Sequence, residues 1–198
     1  MFTGIIENTG IITNVTDSGS NRIFRISSEL SGELKPDQSV AHDGVCLTVE
    51  QSDKSDYQVT AVAETLSKTT LSAWVVGKTV NLERCLSLPA RLDGHMVLGH
   101  VDTRGTCTSV KEVHGSWIFR FSYPSTFAAL LVEKGSIAIN GVSLTVFDVT
   151  DDDFSVTIIP YTFSHTNIQA INPGNQVNLE FDILGKYVNR NLEIFRRP

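Results

Sequence analysis

SVAHDGVCLTV, residues 39–49, returns as SIAINGVSLTV at residues 136–146. In each copy a short apolar arm meets a dipeptide suited to a tight hairpin turn, Asp43-Gly44 or Asn140-Gly141, because glycine tolerates the positive φ that such turns require. Beyond the turn Val45, Leu47 and Val49 alternate with Cys46 and Thr48, as Val142, Leu144 and Val146 alternate with Ser143 and Thr145. A period of two marks a half-buried strand. The echo runs on through the chain. At a spacing of 95, Met1-Phe2-Thr3-Gly4 meets Met96-Val97-Leu98-Gly99, and Ile23-Phe24-Arg25 meets Ile118-Phe119-Arg120. At a spacing of 97, Thr65-Leu66-Ser67 meets Thr162-Phe163-Ser164, and Val80-Asn81-Leu82-Glu83 meets Val177-Asn178-Leu179-Glu180. Self-similarity at a fixed long period means one module used twice. Two similar modules imply two similar pockets, which suits a reaction between two similar molecules.

Other alternating segments predict strands at residues 9–16, 22–27, 57–63 and 79–84, with partners at 104–112, 116–122, 154–160 and 176–181. About six short strands per module, broken by Gly, Asp, Asn and Ser, predict a small closed antiparallel barrel. Short helical turns are expected at 29–34 and 125–132, the second capped by Ser125. Pro89, Asp93 and Gly94 break the pattern over 85–95 and mark the connection between modules. Near the carboxyl end Leu184, Tyr187, Val188, Leu192 and Phe195 follow three- and four-residue steps. Those steps form the stripe of an amphipathic helix, with no counterpart in the first module. The expected units are residues 1–90, 91–183 and 184–198.

Composition narrows the partners. A hydrophobic share of 41% over 198 residues suits packed, soluble cores, and a formal charge of −6 disfavours nucleic acid. No stretch approaches the roughly 18 apolar residues needed to cross a bilayer, and MFTGIIENTG lacks the features of a signal peptide. Cys46, Cys85 and Cys107 are odd in number and show no CxxC spacing. Reduced thiols in a cytoplasmic protein, with no metal site, are the simplest reading.

Several segments together resemble riboflavin synthase: MFTGII at the amino terminus, HDGVCLTV, Glu64-Thr65-Leu66, GHMVLGHVD at 94–102, INGVSLTV at 139–146, IPYT at 159–162, and VNLE-x-D ending at Asp182. The resemblance spans essentially the full chain. It implies an all-β fold of two similar six-stranded antiparallel Greek-key barrels plus a C-terminal α-helix, assembled as a homotrimer through that helix. It also implies dismutation of two 6,7-dimethyl-8-ribityllumazine molecules, by four-carbon transfer, into riboflavin and 5-amino-6-ribitylamino-uracil, without metal or organic cofactor. In that family the first barrel of one chain faces the second barrel of its neighbour. Association with lumazine synthase, the preceding enzyme, is a further implied partner. Stacking two substrates makes a bimolecular step effectively intramolecular, worth up to about 7–11 kcal/mol.

By the same resemblance Cys46, His100, Ser143 and Asp182 are the catalytic candidates. Cys46 is otherwise a small buried residue, and its replacement by Ser143 across the repeat suggests unequal roles. His100 stands where the first module has Ile5 and would suit acid–base work; the alternative is an exposed strand histidine without duty. His95, five residues away, would point to the opposite face of a continuous strand, which is poor spacing for shared zinc. Asp182 would orient a histidine, polarise water or cap the following helix. Substrate-binding positions implied in the first module are Phe2, Gly4, Ile5, Ile6, Ser39, Cys46, Leu47, Thr48, Thr60, Ala61, Val62, Ala63, Glu64 and Thr65. Those in the second are Gly99, His100, Val101, Lys134, Ser143, Leu144, Thr145, Thr157, Ile158, Ile159, Pro160, Tyr161 and Thr162. Ile6, Ala61, Val62 and Ile158 read equally as core, and Phe2 either stacks on a heterocycle or plugs the barrel. Asn140 replaces an Asp common in the family, which matters if that carboxylate assists catalysis and not if it only shapes the turn. A non-catalytic lumazine or flavin carrier on the same scaffold would be expected to lose these polar residues. A flavin-reductase barrel would need a nucleotide-binding βαβ unit, and no such pattern occurs.

Overall fold

The computed structural model describes residues 1–87, 89 and 91–195. Leu88 and Ala90 of the expected connection, and residues 196–198 of the expected helix, lie outside the described residues. Strands β1 (Asn8–Ser18), β2 (Asn21–Ser27), β3 (Ser39–His42), β4 (Val45–Ser52), β5 (Asp56–Ala61) and β6 (Thr79–Arg84) close into a barrel in the order β1-β2-β5-β4-β3-β6. Strands β7 (Thr103–Val113), β8 (Ser116–Ser122), β9 (Ser136–Ile139), β10 (Val142–Phe147), β11 (Asp153–Ile158) and β12 (Gln176–Phe181) close in the corresponding order. In each barrel the middle hairpins form a meander whose last strand returns beside the second, which is a Greek key.

The duplication reaches fine detail. β1 bulges against β2 between Ile12 and Asn14, and β7 bulges against β8 between Cys107 and Ser109, 95 residues on. Such bulges bend a strand and help a small barrel close. Arg25 pairs with Asp56 across β2 and β5, and Arg120 with Asp153 across β8 and β11. Each barrel has its own core. Phe24, Ile26, Tyr57, Trp74 and Leu82 fill the first, and Phe119, Phe121, Ile139, Phe154 and Phe181 fill the second.

A pseudo-two-fold seam joins the barrels. Phe2 and Val97 form an antiparallel bridge, their amides donating to each other's carbonyls at 2.7 and 3.1 Å. Phe2, Ala41, Val97 and Ala138 pack there as a separate buried cluster. Further along, Gly44 and Gly141 meet back to back. A Cβ on Gly44 would lie 2.7 Å from the Gly141 nitrogen, so both turns require glycine beyond their positive φ. Around them Asn81 Nδ2 donates to the Asn140 carbonyl and Asn178 Nδ2 to that of Asp43, at 3.0 and 2.9 Å. Asp43 Oδ1 accepts from the Asn81 amide and Asn140 Oδ1 from the Asn178 amide, each at 2.8 Å. The aspartate and its asparagine counterpart therefore serve the turns and the seam.

Two expectations need correction. β5 and β11 stop about two residues early, and the apolar runs beyond them turn into short helices, α1 (Ala63–Lys68) and α2 (Pro160–His165). Pro160 opens α2, where its missing N–H costs nothing. The turn at Ser125–Leu130 is 3₁₀ and is flanked by Pro124, without the side-chain cap expected from Ser125. The last helix, α3 (Ile183–Phe195), lies against that turn; a Cβ on Gly185 would come within 3.3 Å of the Leu130 carbonyl, so the glycine permits close approach. Leu184, Tyr187, Val188, Leu192 and Phe195 remain exposed along α3. Among the described residues no helix is long and apolar enough to cross a membrane.

Candidate active site

In each barrel one seam between neighbouring strands is left open. The β4–β5 ladder reaches only as far as Val49 opposite Val59, and the β10–β11 ladder only as far as Val146 opposite Val156. Beyond these equivalent pairs, Cys46–Thr48 and Thr60–Ala61 part in the first barrel, as do Ser143–Thr145 and Thr157–Ile158 in the second. Strand amides alternate in direction. Since the Val49 amide turns to the Gln38 carbonyl and that of Val146 to Gly135, the Thr48 and Thr145 amides face the splits. Polar backbone edges so exposed suit a flat heterocycle with amide-like groups.

The splits are finished by exchanged segments. The Cys46 amide donates to the Gly99 carbonyl at 2.9 Å, and the Ser143 amide to the Gly4 carbonyl at 2.8 Å. Val101 packs against the core of the first barrel, although it belongs to the second module. Gly4 and Gly99 have φ of 77° and 78°, and a Cβ on either would lie 2.6 or 2.5 Å from the Cβ of Ser143 or Cys46. Both glycines are demanded twice over, by backbone angle and by contact. Two cavities of about 600 Å³ border the exchanged amino-terminal segment, one lined by Ile6, Tyr161 and His165, the other by Ile5, Ser39 and Cys85, and neither is lined by the parted residues of β4, β5, β10 or β11.

The polar groups of the two splits differ. Cys46 is half-buried; burial pushes its thiol up, and the neighbouring Ser39 side chain pulls the other way. Ser143 instead meets His95, whose Nδ1 lies 2.7 Å from Oγ. His95 is buried with Nε2 unpartnered. Its burial lowers the imidazole pKa, against the charge of Asp182, so the ring stays neutral near pH 7 as a proton acceptor requires. Asp182 Oδ1 also accepts the Leu184 amide at 3.0 Å, capping α3. His100 has an exposed side chain, and its amide donates to Glu180 Oε2 at 3.0 Å.

The remaining expected positions distribute as follows. Ser39, Leu47, Thr48, Thr60 and Ala61 lie on β3, β4 and β5, while Val62, Ala63, Glu64 and Thr65 lead into and form the start of α1. Leu144, Thr145, Thr157 and Ile158 repeat this on β10 and β11, followed by Ile159, Pro160, Tyr161 and Thr162 at α2. Leu47, Ala61 and Ile158 are buried within the cores. Phe2 is completely buried in the seam with Ala41, Val97 and Ala138. Lys134 stands in the turn before β9, its ammonium 5.4 Å from the centre of the Phe147 ring. Sequence reading missed His95, because residues 94–102 are not the continuous strand assumed in placing it. It also passed over Glu83 and Glu180. Their repetition at the buried ends of β6 and β12 was the available sign. Among the described residues no cluster of three or more His, Cys, Asp or Glu is arranged to hold a metal.

Comparison with known proteins agrees with this duplicated construction. The lumazine binding domain family matches twice, over residues 3–85 and 98–182. The riboflavin synthase of Photobacterium phosphoreum is 39% identical over 197 residues, covering 96% of this chain and 88% of that one. That of Actinobacillus pleuropneumoniae is 37% identical over 191 residues, covering 96% and 89%. In fold, the chain resembles the crystal structure of LumP complexed with 6,7-dimethyl-8-(1'-D-ribityl) lumazine, with a TM-score of 0.83 at 21% identity, covering 91% of this chain and 99% of that one. With two matched lumazine-binding modules and full-length relatives above one-third identity, the chain belongs to the riboflavin synthase family.

Proposed function

We propose that the protein catalyses the dismutation of two 6,7-dimethyl-8-ribityllumazine molecules into riboflavin and 5-amino-6-ribitylamino-uracil, each split holding one of them. The observation that carries this reading is the pair of equivalent openings, with the Thr48 and Thr145 amides turned into them and Cys46 and Ser143 at their edges. One molecule gives up a four-carbon unit and the other takes it, so the exchange is redox-neutral overall and consumes no third reactant. Cys46, His100, Ser143 and Asp182 are the residues assigned to the chemistry, with His95 joining them as the imidazole that meets Ser143. Ring and ribityl chain are assigned to the strand edges and to the segments Gly4–Ile6 and Gly99–Val101. The exposed apolar stripe of α3 supports assembly of a homotrimer, in which barrels of neighbouring chains bring two substrates together. Free Cys46, Cys85 and Cys107 fit a cytoplasmic location.

Purified protein given only 6,7-dimethyl-8-ribityllumazine is expected to form one riboflavin for every two substrates consumed, without added metal or cofactor. Tight binding with no riboflavin formed would transfer the assignment to a carrier on the same scaffold.

A further inference from the structure

Gly4 belongs to the first module, yet its carbonyl takes the amide of Ser143 in the second. What fixes Gly4 is Glu83, at the end of β6 in the first barrel. Its Oε1 accepts from the Thr3 amide at 2.6 Å and the Thr3 hydroxyl at 2.7 Å, and Oε2 from the Gly4 amide at 2.9 Å. Glu180, in β12 of the second barrel, repeats the arrangement. It accepts from the amides of Leu98, Gly99 and His100 at 2.7, 2.9 and 3.0 Å, and the Gly99 carbonyl receives the amide of Cys46 in the first barrel. Both carboxylates are buried, at 4% and 3% exposure, so releasing one would strand a desolvated acceptor and several N–H groups. Two glutamates 97 residues apart grip segments 95 residues apart in the same manner. The grip is therefore part of the duplicated module.

We propose that Glu83 and Glu180 are crossed positioning residues, each shaping the cleft of the barrel to which it does not belong. Glu83 acts through Gly4 on the Ser143 split, and Glu180 acts through Gly99 on the Cys46 split. As a statement about substrate sites, this rests on the lumazine reading of the splits. The crossing makes one barrel's cleft answer to the other barrel's frame, so neither half-site is complete within its own strands. It is also unequal. Glu180 has the ammonium of Lys186 close by, and Lys186 pairs with Asp102 at 2.6 Å while Asp102 takes the Phe181 amide at 2.9 Å. Lys186 lies on α3, so the C-terminal helix is tied to the cleft of the first barrel. The corresponding Glu7 is instead engaged by Arg84 of its own barrel at 2.6 Å.

The test uses Glu83→Gln and Glu180→Gln in the full-length protein, with near-ultraviolet circular dichroism to establish folding. Amide hydrogen exchange in the ligand-free protein reads the crossing directly. Glu83→Gln is expected to speed exchange at Ser143 about tenfold and leave Cys46 within about twofold, and Glu180→Gln to do the reverse. With ¹³C-labelled 6,7-dimethyl-8-ribityllumazine, Glu83→Gln is expected to weaken the bound resonance that Ser143→Ala perturbs. Glu180→Gln should weaken the one that Cys46→Ser perturbs. If Glu83→Gln unfolds the chain, Glu83→Asp keeps the charge but shortens the reach, and the same pattern is expected at smaller amplitude. Each variant acting on its own barrel, or both acting equally on the two sites, would overturn the proposal. A wild-type protein that binds no lumazine would sink the substrate reading but leave the crossing to the exchange data, which need no ligand.

Discussion

The two barrels share a frame and differ in their polar interiors. The frame repeats down to bulges, ion pairs and glutamate grips. The interiors do not. His42 and Tyr57 are buried partners in the first barrel, 2.8 Å apart, where the second has Ile139 and Phe154. Asp43 is matched by Asn140, and Cys46 by Ser143 with His95 beside it. Duplication has kept what closes a barrel and completes a cleft, and has let the titratable groups diverge. A reaction between two identical molecules with unequal roles calls for such a scaffold: equal cradles, unequal chemistry.

The sharpest way to break the comparison is to remove the buried imidazole that meets Ser143, a contact for which Cys46 has no counterpart. His95→Ala is expected to lower kcat about 100-fold, the lower range for a lost acid–base group, with KM changed less than about threefold. Because burial lowers the His95 pKa from 6.5 in the free protein, the acid limb of kcat/KM should lie below that value and disappear in His95→Gln. Steady-state kinetics across pH checks both statements. If kcat is unaffected, the second split is no more specialised than the first and the asymmetry there is only packing.

A smaller effect separates the two cores. Burial lowers His42 from 6.5 to about 4, so the unfolded chain binds more protons between these values and stability falls as pH drops through that window. Burial raises Asp43 from 3.8 to about 6, so the folded chain binds more protons there and stability rises over nearly the same window. Each shift corresponds to about 3 kcal/mol, and the two nearly cancel. Asp43→Asn, copying the second barrel, removes one side of the balance. It should raise stability at pH 7 and make it fall steeply between pH 6 and 4, as read by urea unfolding. The pair His42→Ile with Tyr57→Phe removes the other side and should leave stability rising on acidification. A variant of Asp43 that stays flat with pH would show that His42 is not held neutral.

Much of this frame was legible because hydrophobic alternation and turn dipeptides are local. Val45-Cys46-Leu47-Thr48-Val49 and its repeat could be little else than strands, and the spacing of 95 carried the register from one barrel to the other. The short helices were not legible. Thr60-Ala61-Val62-Ala63 continues the apolar texture of β5, and only tertiary packing turns it. At α2 a signal existed in Pro160, which favours a first helical position. The site divides the same way. Cys46, Ser143 and the glycine motifs lay within the repeats, whereas His95 depends on residues 94–102 being gripped by Glu180 of their own barrel and bonded across the seam to the Thr3 carbonyl. No local pattern could place it.

The smallest prediction sharpens the symmetric half of the comparison. Arg25 with Asp56 and Arg120 with Asp153 are the same ion pair in two barrels, with arginine side chains 35% and 34% exposed. Pairs this open are screened by solvent and contribute little. Asp56→Asn and Asp153→Asn should each lower Tm by about 2 °C, equally within error, and the double variant should add the two shifts because the pairs lie in separate barrels. Calorimetry of the three variants checks this. Unequal shifts would mean that the frames have diverged in energy while keeping their geometry. In that case the barrel with the larger loss would be the one whose β2–β5 or β8–β11 edge relies on charge rather than on core packing.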